Sequence, residues 1–170
     1  MDRDLHSSPL RQTELLHETP LAFKPLSNQM LSDLQSLFPT QLDFYHLGQL
    51  ELCRRSHRGY PQEQKILYTL EGDLRGQFLI SFPQNQDSSL YLEIGNVLLG
   101  RFTTQLSELM NLDVLFSPPQ VLSAKNSAYP QHQDGSHQTI RLNYRFSKPN
   151  LIESFDADLE IFRLKETGHA

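Results

Sequence analysis

The chain has 170 residues, of which 38% are apolar, with ten Phe and six Tyr; that is the length of one domain and enough to bury a core. Its net charge of −5 comes from scattered groups, and the basic cluster Arg54, Arg55, His57 and Arg58 sits in a polar bend, which speaks against nucleic acid as a partner. With Cys53 the single cysteine, a charged start from Met1 to His6 and no apolar run of about 20 residues, the sequence predicts a cytoplasmic protein without a disulfide, signal peptide or membrane span.

Residues 1–20 mix charge, Ser, Gln and Pro and are expected to form a flexible arm ahead of a single domain over 21–165. From Leu26 a helical pattern runs through Met30, Leu31, Leu34, Leu37 and Phe38 and stops at Pro39. Leu42 to Cys53 reads as one strand with an irregularity at Gly48, and Cys53 at its end reads as a small core residue. Lys65–Leu70 and Leu74–Phe82 read as strands, and Glu71-Gly72-Asp73 between them has the composition of a hairpin turn.

Asp87 or Ser88 is a natural N-cap for a long helix over about Ser88 to Asn111. Gly95 and Gly100 each lower its propensity by about 1 kcal/mol against Ala, so close packing on a neighbour is expected there. Leu112 to Ser123 reads as a strand broken by Pro118-Pro119, which points to an edge or a bulge. Ala124–Gln138 is a polar loop whose His132, Asp134 and His137 have no Cys or paired His motif to make a metal set. Thr139–Ser147 alternates, with Ile140, Leu142, Tyr144 and Phe146 on one face. Phe155–Leu164 supplies the last strand, with Asp156, Asp158 and Glu160 toward solvent.

The order is helix and strands, then helix and strands again. Ser36-Leu37-Phe38-Pro39-Thr40-Gln41-Leu42-Asp43 and Glu108-Leu109-Met110-Asn111-Leu112-Asp113 both leave a helix and enter a strand through Leu-Asp. A weak internal duplication over about 26–83 and 88–164 accounts for this.

In the long helix, Ser89, Glu93 and Asn96 are spaced i, i+4, i+7 and share one face, while Leu90, Ile94, Val97, Leu98 and Phe102 can face a core. A carboxylate and a carboxamide are thereby held one turn apart on a rigid element, a suitable way to present two groups to a partner's active site. No phosphate-cradling Gly loop, G-x-S-x-G or HExxH is present.

This stretch, followed by Leu112-Asp113-Val114 and Ser117-Pro118-Pro119-Gln120-Val121, resembles the CheC/CheX chemotaxis phosphatase family. The family motif is an acidic residue or serine, three residues, Glu, two residues, Asn, which Ser89, Glu93 and Asn96 match one by one. The resemblance implies an α+β fold, an α/β sandwich in which a pseudo-duplicated antiparallel sheet carries two long helices on one face. It also implies a phosphatase acting on the aspartyl phosphate of a phosphorylated CheY-type receiver domain. Asn96 would orient the attacking water, Glu93 would dock the receiver's lysine, and Ser89 would lie at the edge of the contact. No cofactor is then expected on this chain, and Mg²⁺ belongs to the receiver. In the first half the equivalent of Glu93 falls among Leu21 to Phe23, where no Glu-x-x-Asn occurs. The sequence therefore looks like a single-site, CheX-like member, a kind that can form homodimers through sheet edges. The alternative is an inactive interaction module of the same fold, as in rotor switch proteins of the FliM kind, which lack the pair.

Overall fold

The computed structural model describes residues 26–39, 41–44, 48–53, 62–122, 137–148 and 151–165. The flexible-arm expectation for residues 1–20, the basic cluster at 54–58, His132 and Asp134, and the first-half site position at 21–23 lie outside the described residues.

The elements are α1 (Asn28–Ser36), β1 (Gln41–Phe44), β2 (Gly48–Cys53), β3 (Glu63–Gly72), β4 (Leu74–Pro83), α2 (Ser88–Met110), β5 (Val114–Phe116), β6 (Gln120–Leu122), β7 (Gln138–Lys148) and β8 (Leu151–Leu164). The strands form one 8-stranded sheet in the order β1-β2-β7-β8-β4-β3-β5, with β6 also on β3. Every pairing is antiparallel.

Register explains which face is buried. Tyr68 pairs with Phe78, and Ile66 with Ile80. Phe78 pairs in turn with Leu159, and Ile80 with Ala157; those two lie opposite Ile140 and Leu142. These apolar rows run across four strands on one face, and all eight of these residues are buried. Both helices add to the same core. Phe38, just beyond α1, stacks on Phe102 of α2 at 4.1 Å and on Phe78 at 5.7 Å. Under the start of α2, Tyr91 stacks on Phe82 at 4.1 Å and meets Phe155 edge-on at 5.6 Å, while Phe155 stacks on Tyr144 at 5.3 Å.

Several local expectations take physical form. Asp87 is the N-cap of α2, its carboxylate accepting the Ser89 N–H at 3.0 Å. Asn111 ends the helix in the left-handed region at φ 53°. The hairpin between β3 and β4 turns through Gly72, whose φ of 112° suits glycine alone. The two prolines mark both an edge and a bulge. Leu70 pairs with Phe116 and Leu67 with Gln120, so three residues of the edge face two of β3. Ser117 spans the defect: its N–H donates to the Thr69 carbonyl, and its Oγ accepts the Thr69 N–H, both at 2.9 Å.

Three expectations are corrected. Leu42–Cys53 is two strands, β1 and β2, paired so that Leu42 faces Leu50 and Phe44 faces Gly48; the irregularity at Gly48 is the start of the return strand. Of the two described helices only one is long, since α1 has 9 residues against 23 in α2; after Ser36 the chain bends to place Phe38 between Phe102 and Phe78. Cys53 is half-buried rather than in the core. It follows Leu50 and Leu52 at odd parity, which turns it to the opposite face from the buried Leu50.

Candidate functional site

At 23 residues, α2 is about 34 Å long at 1.5 Å per residue. Leu90, Tyr91, Ile94, Gly95, Leu98, Leu99, Phe102 and Leu106 are buried and fix the helix to the sheet and to Phe38. Ser89, Glu93 and Asn96 are all exposed, as the i, i+4, i+7 spacing predicts for the opposite face. The backbone positions of Glu93 and Asn96 are about 4.5 Å apart along the axis. Neither side chain is engaged in a hydrogen bond or ion pair with another described residue. The pair stands on a firmly anchored helix with its polar atoms facing outward.

Specific contacts hold the helix beneath this pair. Tyr68 of β3 is fully buried and donates its hydroxyl to the Leu92 carbonyl at 3.1 Å. Burial pushes the Tyr68 phenol up to about 12, so it remains a donor at any working pH. Its approach depends on Gly95: a Cβ there would collide with the Tyr68 hydroxyl and come within 2.9 Å of Ile80 Cδ1. One turn earlier, Glu153 of β8 accepts from Tyr91 Oη at 3.2 Å and from Gln86 Nε2 at 2.8 Å. Sequence reading did not single out Tyr68 or Glu153. Gly95 was expected to mark close packing, and it does.

Gly100 differs. Nothing lies within 4 Å of where its Cβ would be, so the packing expected there is absent. Its carbonyl accepts from Thr104 Oγ1 at 2.8 Å and from Thr103 Oγ1 at 3.2 Å.

Among the described residues no three His, Cys, Asp or Glu side chains gather as a metal-ligand set. His137 is exposed and meets the Phe162 ring edge-on at 6.3 Å. No helix among the described residues is long and apolar enough to cross a membrane.

No protein-family model matches the chain, and no curated protein matches its sequence. Among the solved structures that it matches are CheX and CheC-like proteins. One is CheX of Borrelia burgdorferi, solved in complex with CheY, BeF3 and Mg²⁺; identity is 15% over 80% of this chain and 93% of that one, with a TM-score of 0.45. Another is CheX of Vibrio vulnificus, with 20% identity over 65% and 82% of the two chains and a TM-score of 0.45. A third is a CheC-like superfamily protein from a Shewanella species, with 16% identity over 76% and 90% and a TM-score of 0.40.

Proposed function

We propose that the chain is a cytoplasmic phosphatase for the aspartyl phosphate of a CheY-type receiver domain. The observation that carries this reading is the outward presentation of Glu93 and Asn96, one turn apart on a helix whose other face is buried.

An aspartyl phosphate is an activated acyl phosphate, and the receiver holds its own Mg²⁺ against the phosphoryl oxygens. The missing component is a water held in line with phosphorus. The Asn96 carboxamide oxygen can accept a hydrogen bond from that water and aim its lone pair at the phosphorus atom, the part a glutamine plays in GTPases. Water attacks, the P–O bond to the receiver's carboxylate breaks, and free phosphate and the unmodified aspartate result. Glu93, a turn earlier, pairs with the receiver's phosphate-site lysine and sets the register of Asn96 against the phosphorus. Ser89 touches the rim of the docked receiver.

The repeated order of one helix and four strands, with β4 beside β8 inside the sheet, supports reading the domain as a duplicated unit that carries the pair in one half. Neither α1 nor the stretch at 21–23 contains a Glu-x-x-Asn. A homodimer through the sheet edges would give two sites per particle, and light scattering in solution tests it.

The test of function is the decay of a phosphorylated CheY-type receiver with and without the protein, beside its Asn96→Ala variant. Acceleration that the variant loses, while still binding the receiver, supports the reading. Unchanged decay across several receivers from the same organism overturns it and leaves a binding module.

A further inference from the structure

We propose that Tyr68 is a positioning residue for the Glu93 and Asn96 pair: its hydroxyl, admitted by the missing side chain of Gly95, pins the Leu92–Asn96 turn to the sheet. The proposal rests on the phosphatase reading for what the pair does, and on geometry alone for how the pair is held.

In an α-helix the carbonyl of residue i accepts the N–H of residue i+4, so the Leu92 carbonyl is the acceptor for Asn96. The same carbonyl accepts the Tyr68 hydroxyl at 3.1 Å, which its second lone pair allows. Leu92 directly precedes Glu93. One buried phenol on β3 therefore grips the peptide unit that starts at Leu92, continues into Glu93 and closes on Asn96. The grip comes from the sheet side, opposite the exposed face.

Two features separate this bond from ordinary core filling. Phenylalanine would occupy the same volume beside Phe78 and Phe116, whose rings lie 6.3 and 6.1 Å away, without burying a hydroxyl. That hydroxyl is spent on a helix carbonyl already engaged within its own helix. Gly95 also gives up helix propensity at a buried position, and the atoms filling its space are the Tyr68 hydroxyl and ring edge and Ile80 Cδ1. The helix is thus held close to the sheet at the turn that carries both polar groups. Misplacing a water-orienting group by about 1 Å can cost about a hundredfold in rate.

The experiment uses the full chain and Tyr68→Phe, which keeps the ring and removes only the donor. With a phosphorylated CheY-type receiver, the expected result is about a tenfold loss of kcat with unchanged KM. In parallel, the Asn96 backbone amide is followed by ¹⁵N chemical shift and hydrogen exchange; it should shift and exchange faster in Tyr68→Phe, while amides near Leu106 stay as they are. Unchanged kcat and an unchanged Asn96 amide overturn the proposal, as does a loss spread evenly along α2. If the wild-type chain accelerates no receiver's decay, the phosphatase reading fails, and the amide readout alone decides whether Tyr68 positions the turn. Gly95→Ala serves as the second variant, expected to disturb the same amide more strongly.

Discussion

Asp73 and Asp113 are tied in both directions: the Asp73 N–H donates to the Asp113 carbonyl at 2.8 Å, and the Asp113 N–H donates to the Asp73 carboxylate at 2.9 Å. Lys165 joins them, its N–H donating to the Asp73 carbonyl at 2.7 Å and its ammonium lying 3.4 Å from the carboxylate. The β3–β4 turn, the exit from α2 and the end of β8 therefore meet on one residue.

The Asp113 N–H, followed by Lys165, holds the Asp73 carboxyl below its ordinary pKa. A carboxyl depressed in the folded state stabilises fully above the ordinary aspartate range, and that stabilisation drains as pH falls through the depressed value. Wild type should melt above Asp73→Asn at neutral pH, and the gap should narrow progressively below about pH 4. Thermal melts of the two proteins across acid pH check this.

The two glycines of α2 should respond in opposite directions to alanine. Gly95→Ala overpacks the contact with Tyr68 and Ile80 and should destabilise by about 1–3 kcal/mol. Gly100→Ala meets open space and should stabilise by about 0.5–1 kcal/mol through better helix propensity. Urea unfolding of both variants measures the difference.

The buried tyrosines form a second contrasting pair. Tyr144 is fully buried with its hydroxyl unpartnered among the described residues, and burial pushes its phenol well above the ordinary range. Tyr144→Phe removes a desolvated group that gains nothing in return and should be neutral or stabilise by about 1 kcal/mol. Tyr68→Phe loses a satisfied bond and should destabilise by about 1 kcal/mol. Chemical denaturation of both proteins gives the two signs.

Under the phosphatase reading, Asn96→Ala should cost about a hundredfold in receiver dephosphorylation. Glu93→Gln should act mainly by weakening receiver engagement. Because both side chains are exposed and without described partners, each variant should melt within about 0.5 kcal/mol of wild type. Steady-state kinetics beside calorimetry separates a lost chemical role from a lost fold.

How much the sequence disclosed depended on whether the signal was local. Alternation at Ile140, Leu142, Tyr144 and Phe146 placed β7 and its buried face, and Asp87 and Asn111 placed the ends of α2. Periodicity of 3.6 put Glu93 and Asn96 together on an outward face. The pairing of β1 with β2 stayed hidden because the apolar residues Leu42, Phe44, Tyr45, Leu47, Leu50 and Leu52 follow one another closely, with no Pro or Asn-Gly among them to mark a reversal. Gly95 and Gly100 look alike in sequence, and what distinguishes them is the approach of Tyr68 and Ile80 to one and not the other. Tyr68 and Leu92 are 24 residues apart, beyond any periodic pattern, and so the support beneath the candidate site was not legible.

The position of β8 between β7 and β4 bears on how the chain is made. The other described strands leave the ribosome before this one, yet β8 is the piece that joins β1, β2 and β7 to β3 and β4. Until it arrives, β4 offers a bare hydrogen-bonding edge beside apolar Phe78, Ile80 and Phe82, an invitation to pair with the wrong chain. Closing the sheet joins residues as distant as Leu74 and Leu164, a topology that folds slowly. A chaperone that shields β4 during synthesis would therefore raise the yield of this protein more than one acting on the finished fold.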